Sequence, residues 1–467
     1  MANQQTESQY LIMKRFVATS LLASALLGGF CAAATDTFNW RTNQNRVTAD
    51  IKGGDLPDLL ERIASVTGWQ VFVEPKTTHN VSAKFKDLPP SDALRLLLGD
   101  LNFALLPGTN TTPRLFVFRT TMQKATQRVH AKSDESSAQA KVIPNELIVR
   151  LKPGAKIDDL ARLLGAKVVG RIDGLNAYRL QFDDAAATEA ARGQLAGNAD
   201  VASVEDNYTI NRPETPQAFA GSVPPLQLQL NPPPANGRVL IGLIDTAVQP
   251  LGNGLDQFLL KQVSLAGDPQ FDPNSPSHGT AMAETMLRVL QLLGNGSSSI
   301  NIAPYDIYGP SEAANTFILA QAIAEAVNKG ANPISMSLGS TGDSPLVRDL
   351  IRDGSAKGIS FYAAVGNNAA PQMNFPAGDP GATPVTALQR DGQVAPYANQ
   401  SGHSAIGAAG TVPVPFVGLT FLVSGTSPAT AIVAATAGSI MEKGPMSAAD
   451  ANAQLQKNAT RTTQPGK

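Results

Sequence analysis

From position 238 onward the apolar positions along the chain switch between two periods at short intervals. RVLIGLID (238–245) is a nearly unbroken apolar run, the pattern of a parallel strand buried on both faces. SHGTAMAETMLRVLQLLG (277–294) spaces its apolar residues as a helix does. INIAPYDIYG then reads as a strand, ANTFILAQAIAEAVNKG as a helix ending at Gly330, NPISMSLGS as a strand, LVRDLIRDGSAKG as a helix and ISFYAAVGN as a strand. This alternation predicts an α/β domain built on a doubly wound parallel sheet. Near its end LVSGTSPATAIVAATAG (422–438) turns sharply through Gly425 and Thr426 into a small-residue helix that Ser427 opens.

Upstream, the pattern predicts two small α+β domains. In 36–118, DLPDLLERIASVTG (55–68) is a helix with Gly68 at its end. WQVFVEP and VSAKFKDLPP are strands, SDALRLLLGDL (91–101) is a helix capped by Ser91, and RLFVFRT is a closing strand. Residues 119–141 have no apolar period and read as a flexible linker. In 142–211 the order is β-α-β-β-α-β, the ferredoxin-like arrangement. The proline-dense segment 212–236 excludes helix and sheet interiors and reads as an exposed connector. At the other extreme, Lys14 and Arg15 precede an apolar run from Phe16 to Phe30 and then Cys-Ala-Ala-Ala. That pattern predicts an export signal over 1–34, with Met13 as its start and the mature protein periplasmic or extracellular.

With 467 residues the chain has room for several domains, and its net charge of -1 offers no basic field to attract nucleic acid. Cys31 is the only cysteine and falls in the export segment, so the mature chain has no disulfide and no cysteine metal site.

Three chemistry-bearing residues fall at strand ends and helix starts, where an open α/β sheet places its ligand site. Asp245 ends the first strand, His278 opens the next helix and Ser427 opens the last one considered. A serine hydroxyl needs a base to become a nucleophile. Imidazole serves near neutral pH, and a carboxylate fixes its tautomer. The backbone N–H of a serine in a first helical turn has no internal partner and suits a developing oxyanion. Taken singly, Asp245 also fits a strand-end turn, His278 a surface position before a helix and Ser427 an ordinary helix cap.

Together these motifs resemble the subtilase family. They are LIDTAV around Asp245, SHGTAMA around His278, SMSLGS at 335–340, AAVGN ending at Asn367, FPA at 375–377 and SGTSPATA around Ser427. The resemblance implies a subtilisin-like peptidase domain over 237–463 that hydrolyses peptide bonds. In it Asp245 orients the base, His278 is the general base and acid, Ser427 is the nucleophile and Asn367 supplies an oxyanion amide. Ser337, Leu338 and Gly339 would pair with the substrate backbone, and Asn374 would line and shorten the pocket for the residue before the scissile bond. Some positions depart from the family: Ala247 replaces a glycine, Ala281 a histidine and Pro428 a larger apolar residue, while Ala431 sits where proline is usual. Pro428 is expected at the first helical position.

Residues 142–211, closing in VASVEDNY, resemble the inhibitory propeptide of the same family, which makes the chain's own propeptide an intramolecular inhibitor and the protein a self-processed zymogen cut within 208–236. Residues 36–118 resemble the short N-terminal domain of secretins and TonB-dependent receptors, which implies docking on an envelope complex. The resemblance implies a protein or peptide substrate and no cofactor. Calcium is common in the family, but no acidic loop here identifies ligands for it. The competing expectation is a catalytically inert periplasmic adaptor that uses the protease fold as a binding surface.

Overall fold

The computed structural model describes residues 37–462, apart from 43, 107–112, 126, 130–139, 219–227, 232–238, 253, 401–403 and 445–446. The chain divides into two compact units, Met1–Ser133 and Asp134–Lys467. The export segment expected over 1–34 lies outside the described residues. Among those residues no helix is long and apolar enough to cross a membrane.

In the first unit β1 (Thr37–Arg41), β2 (Arg46–Asp55) and β4 (Asn80–Leu88) form one antiparallel sheet. A second sheet runs in the order β5 (Asn102–Leu106), β6 (Arg114–Phe118), β3 (Gln70–Val73) and β7 (Gln127–Val129). The helix α1 (Leu56–Thr67) begins where the Asp55 carboxylate accepts the Asp58 N–H at 2.9 Å, and it stops at Gly68 in the left-handed region. Its apolar face buries Leu59, Leu60 and Ile63 in one core with Leu94 and Leu97 of α2 (Pro90–Leu98). α2 begins after Pro89 and not at the expected Ser91 cap: Pro90 supplies a helical φ and lacks only an N–H that the first turn does not use. The segment expected as a flexible linker, 119–141, instead contains a strand, β7. β7 pairs antiparallel with β3, because the open edge of β3 offers backbone groups that a short polar segment can satisfy.

In the second unit β8 (Val142–Leu151), α3 (Ile157–Leu164), β9 (Lys167–Ile172), β10 (Ala177–Gln181), α4 (Ala185–Ala196) and β11 (Val201–Asn211) follow the β-α-β-β-α-β order. Their sheet gains a fifth strand: β16 (Ala313–Asn315), from far along the chain, pairs antiparallel with the end of β11. The segment 212–216 then leads to β12 (Gln217–Ala218), which pairs with β22 (Leu419–Ser424). The connector, expected to stay out of sheet interiors, makes a two-residue strand on the open edge of the hairpin β21 (Thr411–Phe416) and β22.

The large sheet is parallel throughout, in the order β14 (Val263–Ser264), β15 (Asn301–Asp306), β13 (Leu240–Asp245), β17 (Ile334–Met336), β18 (Phe361–Ala364), β19 (Thr383–Leu388) and β20 (Ile406–Ala409). Helices cover both faces. α6 (Thr316–Asn328) and α7 (Pro345–Ala356) share one core with Ile244, Ile334 and Phe361. α5 (His278–Leu293) and α8 (Thr426–Glu442) share the other with Ile241, Leu243 and Tyr362, and α9 (Ala448–Thr462) adds Leu455 to it. Burial on both faces is why the strands read as unbroken apolar runs.

Candidate active site

Asp245 is the last residue of β13 and is wholly buried. Its Oδ1 accepts the Thr246 N–H at 2.6 Å and faces His278 Nδ1 at 2.7 Å. His278 is the first residue of α5, and the loop and helix are bonded to each other around this pair. Ser277 caps α5 by accepting the Thr280 N–H, and its hydroxyl donates to the Ala247 carbonyl at 2.5 Å. Thr246 Oγ1 accepts the Gly279 N–H at 2.8 Å, and Gln249 Oε1 accepts the Ser277 N–H at 2.6 Å. An Nδ1–H given to the carboxylate leaves the opposite ring nitrogen free to accept a proton.

Ser427 is the second residue of α8, so Pro428 is the third helical residue and not the first as expected. The first turn has no use for its N–H at either position. Ser427 Oγ donates to the Ser337 carbonyl at 3.4 Å, while Ser337 Oγ donates to the Ser427 carbonyl at 3.1 Å. The longer bond holds the Ser427 hydroxyl weakly, which leaves it free to turn. The structure joins Asp245 to His278 directly. It sets Ser427 on a helix packed in the same core as the one His278 opens.

Asn367 follows β18, and its Oδ1 accepts both the N–H and the hydroxyl of Thr426, at 2.8 and 3.0 Å. This fixes the amide so that Nδ2 points over Gly425, where a Cβ would stand 2.9 Å from it. Gly425 has φ +143°, a conformation side chains rarely adopt, so both backbone and space call for glycine there. The role of Thr426 as the clamp on Asn367 was not read from the sequence. Its signal was its place beside Ser427, but its partner lies fifty-nine residues away.

Ser337, Leu338 and Gly339 extend beyond the end of β17, and the next residue, Ser340, exchanges two backbone hydrogen bonds of 2.8 Å with Phe375. That bridge brings Asn374 against Gly339, where a Cβ would stand 2.8 Å from Asn374 Cβ. On the far side a Cβ on Gly366 would stand 2.7 Å from Asn374 Nδ2. The carboxamide of Asn374 therefore fills the space between the segment 337–339 and the loop that carries Asn367. Asn399, buried below it, holds it there. Asn399 Oδ1 accepts the N–H groups of Asn368 and Ala370 at 2.9 and 3.1 Å, and its Nδ2 donates to Asn374 Oδ1 at 3.2 Å. Nothing in the sequence singled out Asn399, because its partners come from a different loop.

The α+β segment 142–211 meets the parallel domain at two helix starts. Glu205 accepts the Ser344 hydroxyl at 2.6 Å and the Leu346 N–H at 2.9 Å, at the start of α7. Asn207 Oδ1 accepts the Thr316 hydroxyl and the Phe317 N–H, at 3.1 and 3.2 Å, at the start of α6. Free N–H groups and the helix dipole favour such acceptors. Burial raises the Glu205 carboxyl above its usual range, and the bonds to Ser344 and Leu346 oppose that rise. An ion pair of 2.6 Å between Arg150 and Asp349 adds to the contact.

Six residues after His278, Glu284 lies buried, with an oxygen that has no hydrogen-bond partner. Burial pushes its carboxyl up to about 7, against the pull of Arg288. The native state then keeps a proton that the unfolded chain releases near the usual carboxylate value. Stability should therefore fall as pH rises from about 4.5 to 7 and stay at the lower level above that. Glu284→Gln removes the term. In denaturant titrations at pH 8 the variant should exceed the parent by about 2–3 kcal/mol, with little difference at pH 4.

Among the described residues no cluster of three or more acidic, histidine or cysteine side chains could hold a metal ion.

A parallel, doubly wound sheet with aspartate, histidine and serine at its strand ends and helix starts has the architecture of a subtilisin-type hydrolase. The family model described as the subtilase family matches residues 236–467, so this part of the chain is a subtilase-family domain. A second model, the fervidolysin N-terminal prodomain, matches residues 129–207. Among curated relatives, the alkaline elastase YaB of a Bacillus species is 30% identical over 39% of this chain and 50% of its own. The alkaline protease of Alkalihalobacillus alcalophilus is 27% identical over 49% of this chain and 62% of its own. The chain thus spans about half to three fifths of these relatives. Subtilisin Savinase of Lederbergia lenta is 28% identical over 48% of this chain and 87% of its own. The solved structure of fervidolysin from Fervidobacterium pennivorans superposes with a TM-score of 0.51 at 17% identity, covering 64% of this chain and 55% of that one. The epidermin leader peptide processing serine protease of Staphylococcus aureus gives a TM-score of 0.51 at 15% identity, covering 69% and 92%. At these identities the two structures support the fold alone.

Proposed function

We propose that this protein is an exported serine endopeptidase, made as a zymogen whose 142–211 segment is an inhibitory prodomain that the enzyme itself cuts free. The observation that carries this reading is the 2.7 Å contact between His278 Nδ1 and a wholly buried Asp245 carboxylate, on a helix that shares a core with the Ser427 helix. Ser427 Oγ attacks the peptide carbonyl and His278 takes its proton, then gives it to the leaving amine. Asp245 steadies the imidazolium, and water admitted afterwards is activated by His278 to release the acyl group. Asn367 Nδ2 and the Ser427 N–H receive the oxyanion. Ser337–Gly339 pairs with the substrate backbone as an added strand. The charged, apolar and small-residue order over 13–34 supports export, and the match of 129–207 to a prodomain model supports the zymogen.

A fluorophosphonate probe, which reacts with activated serine hydroxyls, tests the reading. Labelling should map to Ser427 in the processed protein, and an unlabelled protein that still binds peptides would overturn it.

Asn374 sets the substrate preference, because its carboxamide occupies the space between Gly339 and Gly366. In peptide-library profiling the enzyme should cut after small or medium apolar residues. Asn374→Gly should open the pocket and raise cleavage after Phe or Tyr by roughly 10–100-fold relative to Ala, the range that differences in pocket contact supply. Dominant cleavage after aromatic residues by the parent enzyme would contradict this assignment.

A further inference from the structure

We propose that the bond this zymogen cuts in itself is Pro213–Glu214, an assignment that rests on the self-processing reading above. Strand pairing confines the crossing. On one side Thr209, Ile210 and Asn211 pair with Asn315, Ala314 and Ala313, and the Arg212 N–H bonds the Glu312 carbonyl at 2.9 Å. On the other side Gln217 pairs with Leu422 and Ala218 with Phe421, on the strand that leads directly into Gly425, Thr426 and Ser427. Continuing that antiparallel register brings Thr215 opposite Ser424, Glu214 opposite Gly425 and Pro213 opposite Thr426, the neighbour of Ser427. The chain therefore passes the nucleophile within 213–216.

Two bonds of this crossing, Arg212–Pro213 and Thr215–Pro216, have a prolyl nitrogen on the leaving side. That nitrogen carries ring carbons and no hydrogen, and these crowd the base that must protonate it. Pro216–Gln217 enters the paired strand with Pro216 buried. Pro213–Glu214 and Glu214–Thr215 remain. Cutting the second would seat the Glu214 side chain in the pocket that Asn374 fills and Asn399 holds filled. A side chain of that length has no room there, and Glu214 is exposed while Pro213 is half-buried. The compact ring of Pro213 matches the shortened pocket. Proline also has no N–H to give the Ser337 carbonyl, and that carbonyl accepts the Ser427 hydroxyl instead.

In the cut, Ser427 Oγ bonds to the Pro213 carbonyl carbon and its proton passes to His278. The C–N bond to Glu214 breaks as His278 protonates the new amine. Water then adds to the ester, leaving a Pro213 carboxylate and restoring the Ser427 hydroxyl.

Intact-mass and end-group analysis of the full chain at early times of processing tests this. Two complementary fragments should appear, one ending at Pro213 and one beginning at Glu214. Glu214→Pro converts the bond to a tertiary amide and should slow the cut by at least about 100-fold. Pro213→Ala restores an N–H toward Ser337 and should speed it about five- to tenfold, one ordinary hydrogen bond. Ser427-dependent fragments with ends elsewhere would overturn the bond assignment while leaving self-processing intact. The same fragments from a Ser427→Ala chain in a host free of other proteases would instead overturn self-processing.

Discussion

Ser427→Ala should leave a folded protein with essentially no turnover. The hydroxyl is the only group that the proposed chemistry asks to form a bond with the substrate, and no neighbour can replace it. In subtilisin itself, removing the equivalent serine costs kcat roughly 10⁶-fold, leaving a residue of catalysis from oxyanion binding alone. A loss of about 10⁴–10⁶ in kcat, with KM little changed, is the expectation here. The variant should also stay at full length and lose probe labelling. Its melting temperature should be close to that of the parent, because the hydroxyl makes a single weak bond of 3.4 Å. Retention of more than about one per cent of activity would remove Ser427 from its role.

Gly279→Ala should unsettle the site without touching a reacting atom. Gly279 is the second residue of α5, and a Cβ there would overlap the Thr246 carbonyl oxygen. Neither side can yield cheaply. Thr246 adjoins Asp245 at the end of a central strand, and its Oγ1 accepts the Gly279 N–H. Forcing the two apart moves His278 away from Asp245 and breaks the Thr246–Gly279 bond. Overpacking against backbone is among the costlier single changes, so a loss of about 3 kcal/mol or more is expected. On an inactive Ser427→Ala background, where self-digestion cannot interfere, the melting temperature should drop by roughly 6–12 °C. In the active parent, kcat should fall far more than KM rises, because the helix that carries the base is displaced. Unchanged melting and turnover would mean that the loop and helix are not tightly coupled.

The sequence made long-period features legible. Strands buried on both faces must be apolar throughout, so RVLIGLID announced its place in a parallel sheet, and Asp245 followed as its end. His278 and Ser427 were readable because a helix start leaves a mark in cap residues and period. What could not be read was decided by partners far along the chain. β7, β12 and β16 are two or three residues long, too short to carry a period, and each exists only because another strand presents an open edge. Asn399 and Thr426 look like ordinary loop and turn residues until folding brings Asn374 and Asn367 to them. Glu205 and Asn207 read as polar positions of a closing strand. Their function as caps appears only once the ends of α6 and α7 lie against them. The cap of α2 falls at Pro89 and not at Ser91 because a proline pair sets the helical turn earlier than a hydroxyl cap would.

In the proposed zymogen, the pairing of β11 with β16 would separate cutting from activation. Severing the crossing anywhere in 213–216 breaks none of the backbone bonds to β16, neither helix cap and not the Arg150–Asp349 pair. The fragment would stay lodged on the enzyme that made it, now as a separate molecule held only by its own affinity. Onset of activity would then depend on dilution or on destruction of that fragment by the first free copy. A population of zymogens would stay silent for a lag and then awaken almost together.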